Sequence, residues 1–66
     1  MVLTMKMARV GANLTQQEVA DKMGVHVQTY AKMESDSNNV TIAEAKLFSD
    51  IVGINWADIF FGDDRN

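Results

Sequence analysis

The same four-residue helix-start signal occurs twice, and each copy is followed by a glycine able to end the helix it begins. In Thr15-Gln16-Gln17-Glu18 and Thr41-Ile42-Ala43-Glu44, the threonine hydroxyl accepts from the backbone three residues on while the glutamate reaches back. Gly24 and Gly53 each follow a helical apolar pattern and take the left-handed conformation without a Cβ penalty. Asn55-Trp56-Ala57-Asp58 is a weaker start signal, so helices are expected to begin near residues 15, 41 and 55. Asn13 is expected to end a first helix over about residues 2–12, with Gly11 inside it. Val27, Tyr30 and Met33 recur at helical spacing and predict a short helix from Val27 to Glu34. The polar run Ser35-Asp36-Ser37-Asn38-Asn39 is then the one substantial loop, and the last helix should end near Phe61. The expected fold is all-α, a compact five-helix orthogonal bundle that needs no strand.

A chain of 66 residues makes one domain, here residues 1–66 with an ordered core of about 3–61 and a short acidic tail, 62–66. Such a domain buries only about 60% of its unfolded surface, so its elements must be locally well specified. Its core is expected to include Met5, Leu14, Val19, Ala20, Tyr30, Met33, Ile42, Phe48, Ile59 and Phe60. With no cysteine there is no disulfide and no thiolate metal site, and packing alone must hold the fold. No long apolar stretch with a cleavage site opens the chain and no run approaches a membrane span, which predicts a cytoplasmic protein with no membrane partner.

The net charge of −3 is unfavourable for a nucleic-acid partner until its distribution is considered. Lys6, Arg9, Lys22 and Lys32 against Glu18 and Asp21 leave the first half, residues 1–33, at +2, while the second half carries −5. A surface facing DNA should therefore be built from the first half, with the acidic half turned away.

Counting Gln16 as the first place of a helix-turn-helix, Val19, Met23, Val25, Tyr30 and Met33 fall at the fourth, eighth, tenth, fifteenth and eighteenth places. Ala20 at the fifth lets two helices cross closely, and Gly24 at the ninth makes the turn. With this register the chain resembles the Cro and repressor family of helix-turn-helix proteins, the lambda-repressor-like or xenobiotic-response-element type. The resemblance covers about residues 3–61 and is carried by Arg9, Leu14-Thr15-Gln16, Glu18-Val19-Ala20, Met23-Gly24-Val25, Glu34, Val52-Gly53-Ile54 and Ile59-Phe60.

The resemblance implies a third helix inserted into the major groove of double-stranded DNA and a second helix lying across the phosphate backbone. It places His26, Val27, Gln28 and Lys32 at the groove, with Asn38 in the following loop completing the DNA-binding set. Gln28 offers an amide for a bidentate pair with adenine, Val27 packs on a thymine methyl, and Lys32 reaches guanine or a phosphate. Gln16 resembles the family's phosphate clamp at a helix N-terminus, where the dipole favours an anion. Arg9 and Glu34 resemble a structural ion pair between the first and third helices. Two departures stand out. The loop 35–39 carries no lysine or arginine, so counterion release and salt dependence should be modest. Asp36 replaces a frequent glycine and Val40 a frequent proline, so this turn is expected to differ in shape.

The competing readings are plainer. Gln28 and Lys32 also fit an ordinary solvated face, and the sole histidine, His26, fits a surface or helix-start position; without a cysteine or second histidine it makes no zinc site. No metal or other cofactor is expected. Catalysis is not expected either, because no poised nucleophile with a partner and no glycine-rich phosphate loop is present. The rival to DNA binding is a protein-interaction module, antitoxin-like or an adaptor, that reuses the same helices. Leu47, Trp56 and Phe61, exposed together, would form an apolar patch for such a partner or for a weak homodimer. By analogy with the family, a chain of this kind acts as a small transcriptional regulator of phage or prophage type.

Overall fold

Both capping boxes close. Thr15 Oγ1 accepts from the Glu18 N–H at 3.1 Å and Glu18 Oε1 from the Thr15 N–H at 2.8 Å; Thr41 and Glu44 repeat the exchange at 3.1 and 3.0 Å. The computed structural model describes residues 2–61, the Asn39 side chain excepted. Its elements run β1 (Leu3–Thr4), α1 (Met5–Gly11), α2 (Gln16–Met23), α3 (Val27–Ser35), a 3-10 turn (Ser37–Asn39), α4 (Ile42–Val52), a second 3-10 turn (Trp56–Asp58) and β2 (Ile59–Phe60).

Three helices end by one device. Asn13 (φ 61°), Gly24 (φ 76°) and Gly53 (φ 73°) are left-handed, and the next N–H in each case turns back on a helix carbonyl. Those closures are Leu14 to Arg9 at 3.2 Å, Val25 to Ala20 at 3.0 Å and Ile54 to Ser49 at 3.2 Å. The residues that close them, Leu14, Val25 and Ile54, all pack against the core, which is the apolar contact such an ending calls for. α3 ends differently. Asp36 is not left-handed (φ −139°, ψ 76°), and hydroxyls take up the last carbonyls: Ser35 Oγ donates to Lys32 O at 3.1 Å and Ser37 Oγ to Met33 O at 3.0 Å. Asp36 and Val40 flank the 3-10 turn that follows this serine-capped exit.

The expected five-helix bundle is corrected, among the described residues, to four helices and a small strand pair. Asn55 does cap, but its side chain accepts from Ala57 two residues on, and the chain tightens into a 3-10 turn before extending at Ile59. β2 pairs in parallel with β1, Leu3 opposite Ile59 and Thr4 opposite Phe60, so the predicted first helix loses its opening residues to a strand. Thr4 then caps α1, accepting from the Met7 N–H at 3.1 Å. The predicted acidic tail lies outside the described residues.

Among the described residues, Tyr30, Phe48, Met5 and Val19 are the largest fully buried side chains. Tyr30 stacks on Phe48, with centroids 6.1 Å apart and planes 23° apart, and Phe61 meets Phe48 edge-on at 6.1 Å. Two core expectations fail. Ile42 is 66% exposed because it opens α4, one turn before the buried Ala45, and Phe60 is exposed because β2 turns Ile59 inward and Phe60 outward. Ala8 and Ser49 were not anticipated in the core; both are buried, and Ser49 Oγ is satisfied by the Ala45 carbonyl at 2.9 Å.

Candidate nucleic-acid interface

α2 and α3, joined through Gly24, Val25 and His26, form the helix-turn-helix. Val19, Ala20, Tyr30 and Met33 fix the pair to the core, which determines what is left outside. On α3 the exposed residues are Gln28, Thr29, Lys32 and, at its last position, Ser35. Gln28 and Lys32 are one turn apart, on the side opposite Tyr30, and so project from the same stripe of the helix. Thr29 adds an exposed hydroxyl beside them, off the apolar stripe of Val27, Tyr30 and Met33.

The remaining predicted contacts sit less openly. Val27 is half-buried and packs on the core, so only part of its side chain faces outward. His26 is exposed at the N-cap of α3 and makes no side-chain capping bond there. Asn38 is exposed in the 3-10 turn after α3. Lys32 lines a shallow hollow with Thr29, Met33, Asp36 and Glu44.

Gln16, the first residue of α2, is tied into a polar cluster around Glu34. Glu34 Oε2 accepts from Arg9 Nε and from the Tyr30 hydroxyl, both at 2.6 Å, and Glu34 Oε1 accepts from Gln16 Nε2 at 2.9 Å. Arg9 also donates from Nη1 to the Leu14 carbonyl at 2.9 Å, pinning the turn between α1 and α2. The Arg9–Glu34 pair expected from sequence is thus present; its Tyr30 and Gln16 partners were not foreseen.

Burial pushes the Glu34 carboxyl up, but the hydrogen bonds from Arg9, Tyr30 and Gln16 outweigh it and hold the group below its ordinary range. Tyr30 is pushed up, first by burial and then by the Glu34 carboxylate. The hydrogen bond to Glu34 raises Arg9 further, keeping it charged.

The proposed apolar patch is redrawn. Leu47 and Trp56 are exposed, at 41% and 42%, and the Lys46 ammonium stands 5.8 Å from the Trp56 ring centroid. Phe61 is not available with them, since it packs against the core on Phe48; the exposed phenylalanine is Phe60, one strand position away. Among the described residues no helix is long and apolar enough to cross a membrane.

Comparison with curated proteins and with solved structures finds no match. A helix-turn-helix family model matches residues 5–59, from the first residue of α1 to the first of β2. With the two motif helices, their glycine turn and the Arg9–Glu34 link all inside that span, the chain belongs to the Cro and repressor type of helix-turn-helix family, the lambda-repressor-like DNA-binding regulators.

Proposed function

We propose that α3 is a recognition helix that reads the major groove, and that the chain acts as a small sequence-specific transcriptional regulator. One observation carries the reading: Gln28 and Lys32 share the exposed stripe of α3 while Gln16 stands at the start of α2, the element that crosses the backbone in this docking mode. Gln28 reads a base edge, adenine being the geometric match for its amide. Lys32 follows one turn later on guanine or phosphate. Gln16 takes a phosphate, His26 and the outer part of Val27 border the groove, and Asn38 approaches the backbone from the turn after α3.

One recognition helix covers a small site. A weak two-fold dimer through the α4 side, with Leu47 and Trp56 in the contact, would set two such helices roughly 34 Å apart. The exposed Ile42, Leu47, Trp56 and Phe60 equally suit the second reading, a protein-interaction module. Selection from a randomised duplex library at two salt concentrations separates the readings. The DNA reading expects an enriched, two-fold-related motif that survives the higher salt. A pool that remains random at both salts rejects groove reading and favours the interaction module.

A further inference from the structure

The Glu34 carboxylate divides its oxygens between the interior and the putting-together of α2 with α3: Oε2 takes Arg9 and the Tyr30 hydroxyl, while Oε1 takes Gln16. A primary amide nitrogen carries two N–H donors. With one donor bound to Glu34, the Gln16 side chain is held in one rotamer and the second donor is presented in a fixed direction. A side chain ordered beforehand gives up less conformational freedom when it takes a ligand.

A carboxylate so near a bound phosphate would ordinarily repel it. Here the Arg9 guanidinium lies 2.6 Å from Glu34, and the two side chains are only 11% and 7% exposed, so the pair presents little net charge to the surface. We propose that Glu34 is the positioning residue of the phosphate clamp: it aims the Gln16 amide at the DNA backbone, the buried Tyr30 hydroxyl holds the carboxylate in place, and Arg9 cancels the charge that would otherwise repel the phosphate. This rests on the reading of Gln16 as a phosphate contact.

The test is a double-mutant cycle in duplex affinity, measured by fluorescence anisotropy at fixed salt on a selected and an unrelated sequence. Tyr30→Phe keeps the ring that stacks on Phe48 and removes only the hydroxyl. It is expected to weaken both duplexes roughly three- to tenfold in the wild-type background and to add nothing once Gln16→Ala is present. A hydroxyl that serves stability alone would lower the melting temperature and change affinity by the same factor, or not at all, in both backgrounds; either result overturns the proposal.

Arg9→Met supplies the second arm. It leaves the Glu34 charge uncancelled, so adding Glu34→Gln to Arg9→Met should tighten binding to both duplexes. A double variant that binds no better than Arg9→Met overturns the neutralising role, and if Arg9→Met fails to fold the Tyr30 cycle decides alone. The two levels of failure are distinct. Gln16→Ala binding every duplex as well as wild type removes the phosphate clamp itself and this proposal with it, whereas a weakened Gln16→Ala with no coupling to Tyr30→Phe removes only the positioning role.

Discussion

The Tyr30 hydroxyl lies 2.6 Å from the carboxylate of Glu34, one turn along α3, and the two groups set opposite pH limits on the fold. Glu34 is held below its ordinary pKa of 4.5 because the hydrogen bonds it receives outweigh the cost of burial. Its stabilisation is therefore present above pH 4.5 and is lost as pH falls toward the lower folded-state value. Tyr30 is raised above its ordinary 10.0 by burial and by Glu34, so its stabilisation is complete below pH 10.0 and declines as pH rises beyond it. Urea denaturation across pH checks both limbs: Glu34→Gln should flatten the acid limb and Tyr30→Phe the alkaline one. Variants that run parallel to wild type through both limbs would show that neither group's titration is linked to folding.

Base reading and backbone positioning separate by variant. Gln28→Ala should lose about 1–3 kcal/mol of discrimination at one base position and keep non-specific affinity, because a bidentate base contact specifies. Gln16→Ala should weaken all duplexes alike, since a phosphate contact carries no sequence information. For Lys32→Ala the salt dependence decides: a phosphate partner predicts a slope in log affinity against log salt shallower by about one unit, and a guanine partner predicts relaxed base preference as well. Unchanged preference and slope in all three variants would remove α3 from the DNA.

The glycines of the first two helices should respond in opposite directions to alanine. Gly11 lies outside the left-handed region, and a Cβ built there meets nothing within 4 Å, so Gly11→Ala should stabilise by about 0.5–1 kcal/mol. Gly24 at φ +76° also has open space, yet Gly24→Ala should destabilise by about 1–2 kcal/mol because the backbone conformation itself is costly for alanine. Thermal melts of the two variants check the contrast, and a stabilised Gly24→Ala would contradict the left-handed turn.

Trp56 and Leu47 are exposed, so replacing them should change monomer stability little. If they form the dimer contact, Trp56→Ala and Leu47→Glu should abolish cooperative binding to a two-fold site while leaving half-site affinity intact. Sedimentation on both duplexes checks this; full cooperativity in both variants would move the dimer contact elsewhere.

What the sequence made legible was local. Thr15, Thr41, Gly24, Gly53 and Asn13 act within a few residues of themselves, and the helix boundaries they signalled are close to those observed. The strand pair was invisible because two-residue strands show no alternation, and their partners come from opposite ends of the described chain. Extending the chain at Ile59 turns Phe60 outward and Phe61 inward, the reverse of the helical expectation. In the candidate site, the family resemblance pointed to Gln28, Lys32 and the Arg9–Glu34 pair, but the places of Tyr30 and Gln16 around Glu34 depend on where α2 and α3 cross. An aromatic at a core place announces its ring and says nothing of where its hydroxyl will find an acceptor.

The parallel pairing of Leu3 with Ile59 has a consequence for folding rates. It closes a loop spanning nearly the whole described chain, and the entropy of that closure must be met before the contact returns anything. The strand pair should therefore form after the transition state. Ile59 is 5% exposed, so Ile59→Val should cost about 0.5–1.5 kcal/mol, expressed almost entirely as faster unfolding with the refolding limb of the chevron unmoved. On this account the helix-turn-helix sets how quickly the domain assembles, and two residues at either end of the chain set how long it stays assembled.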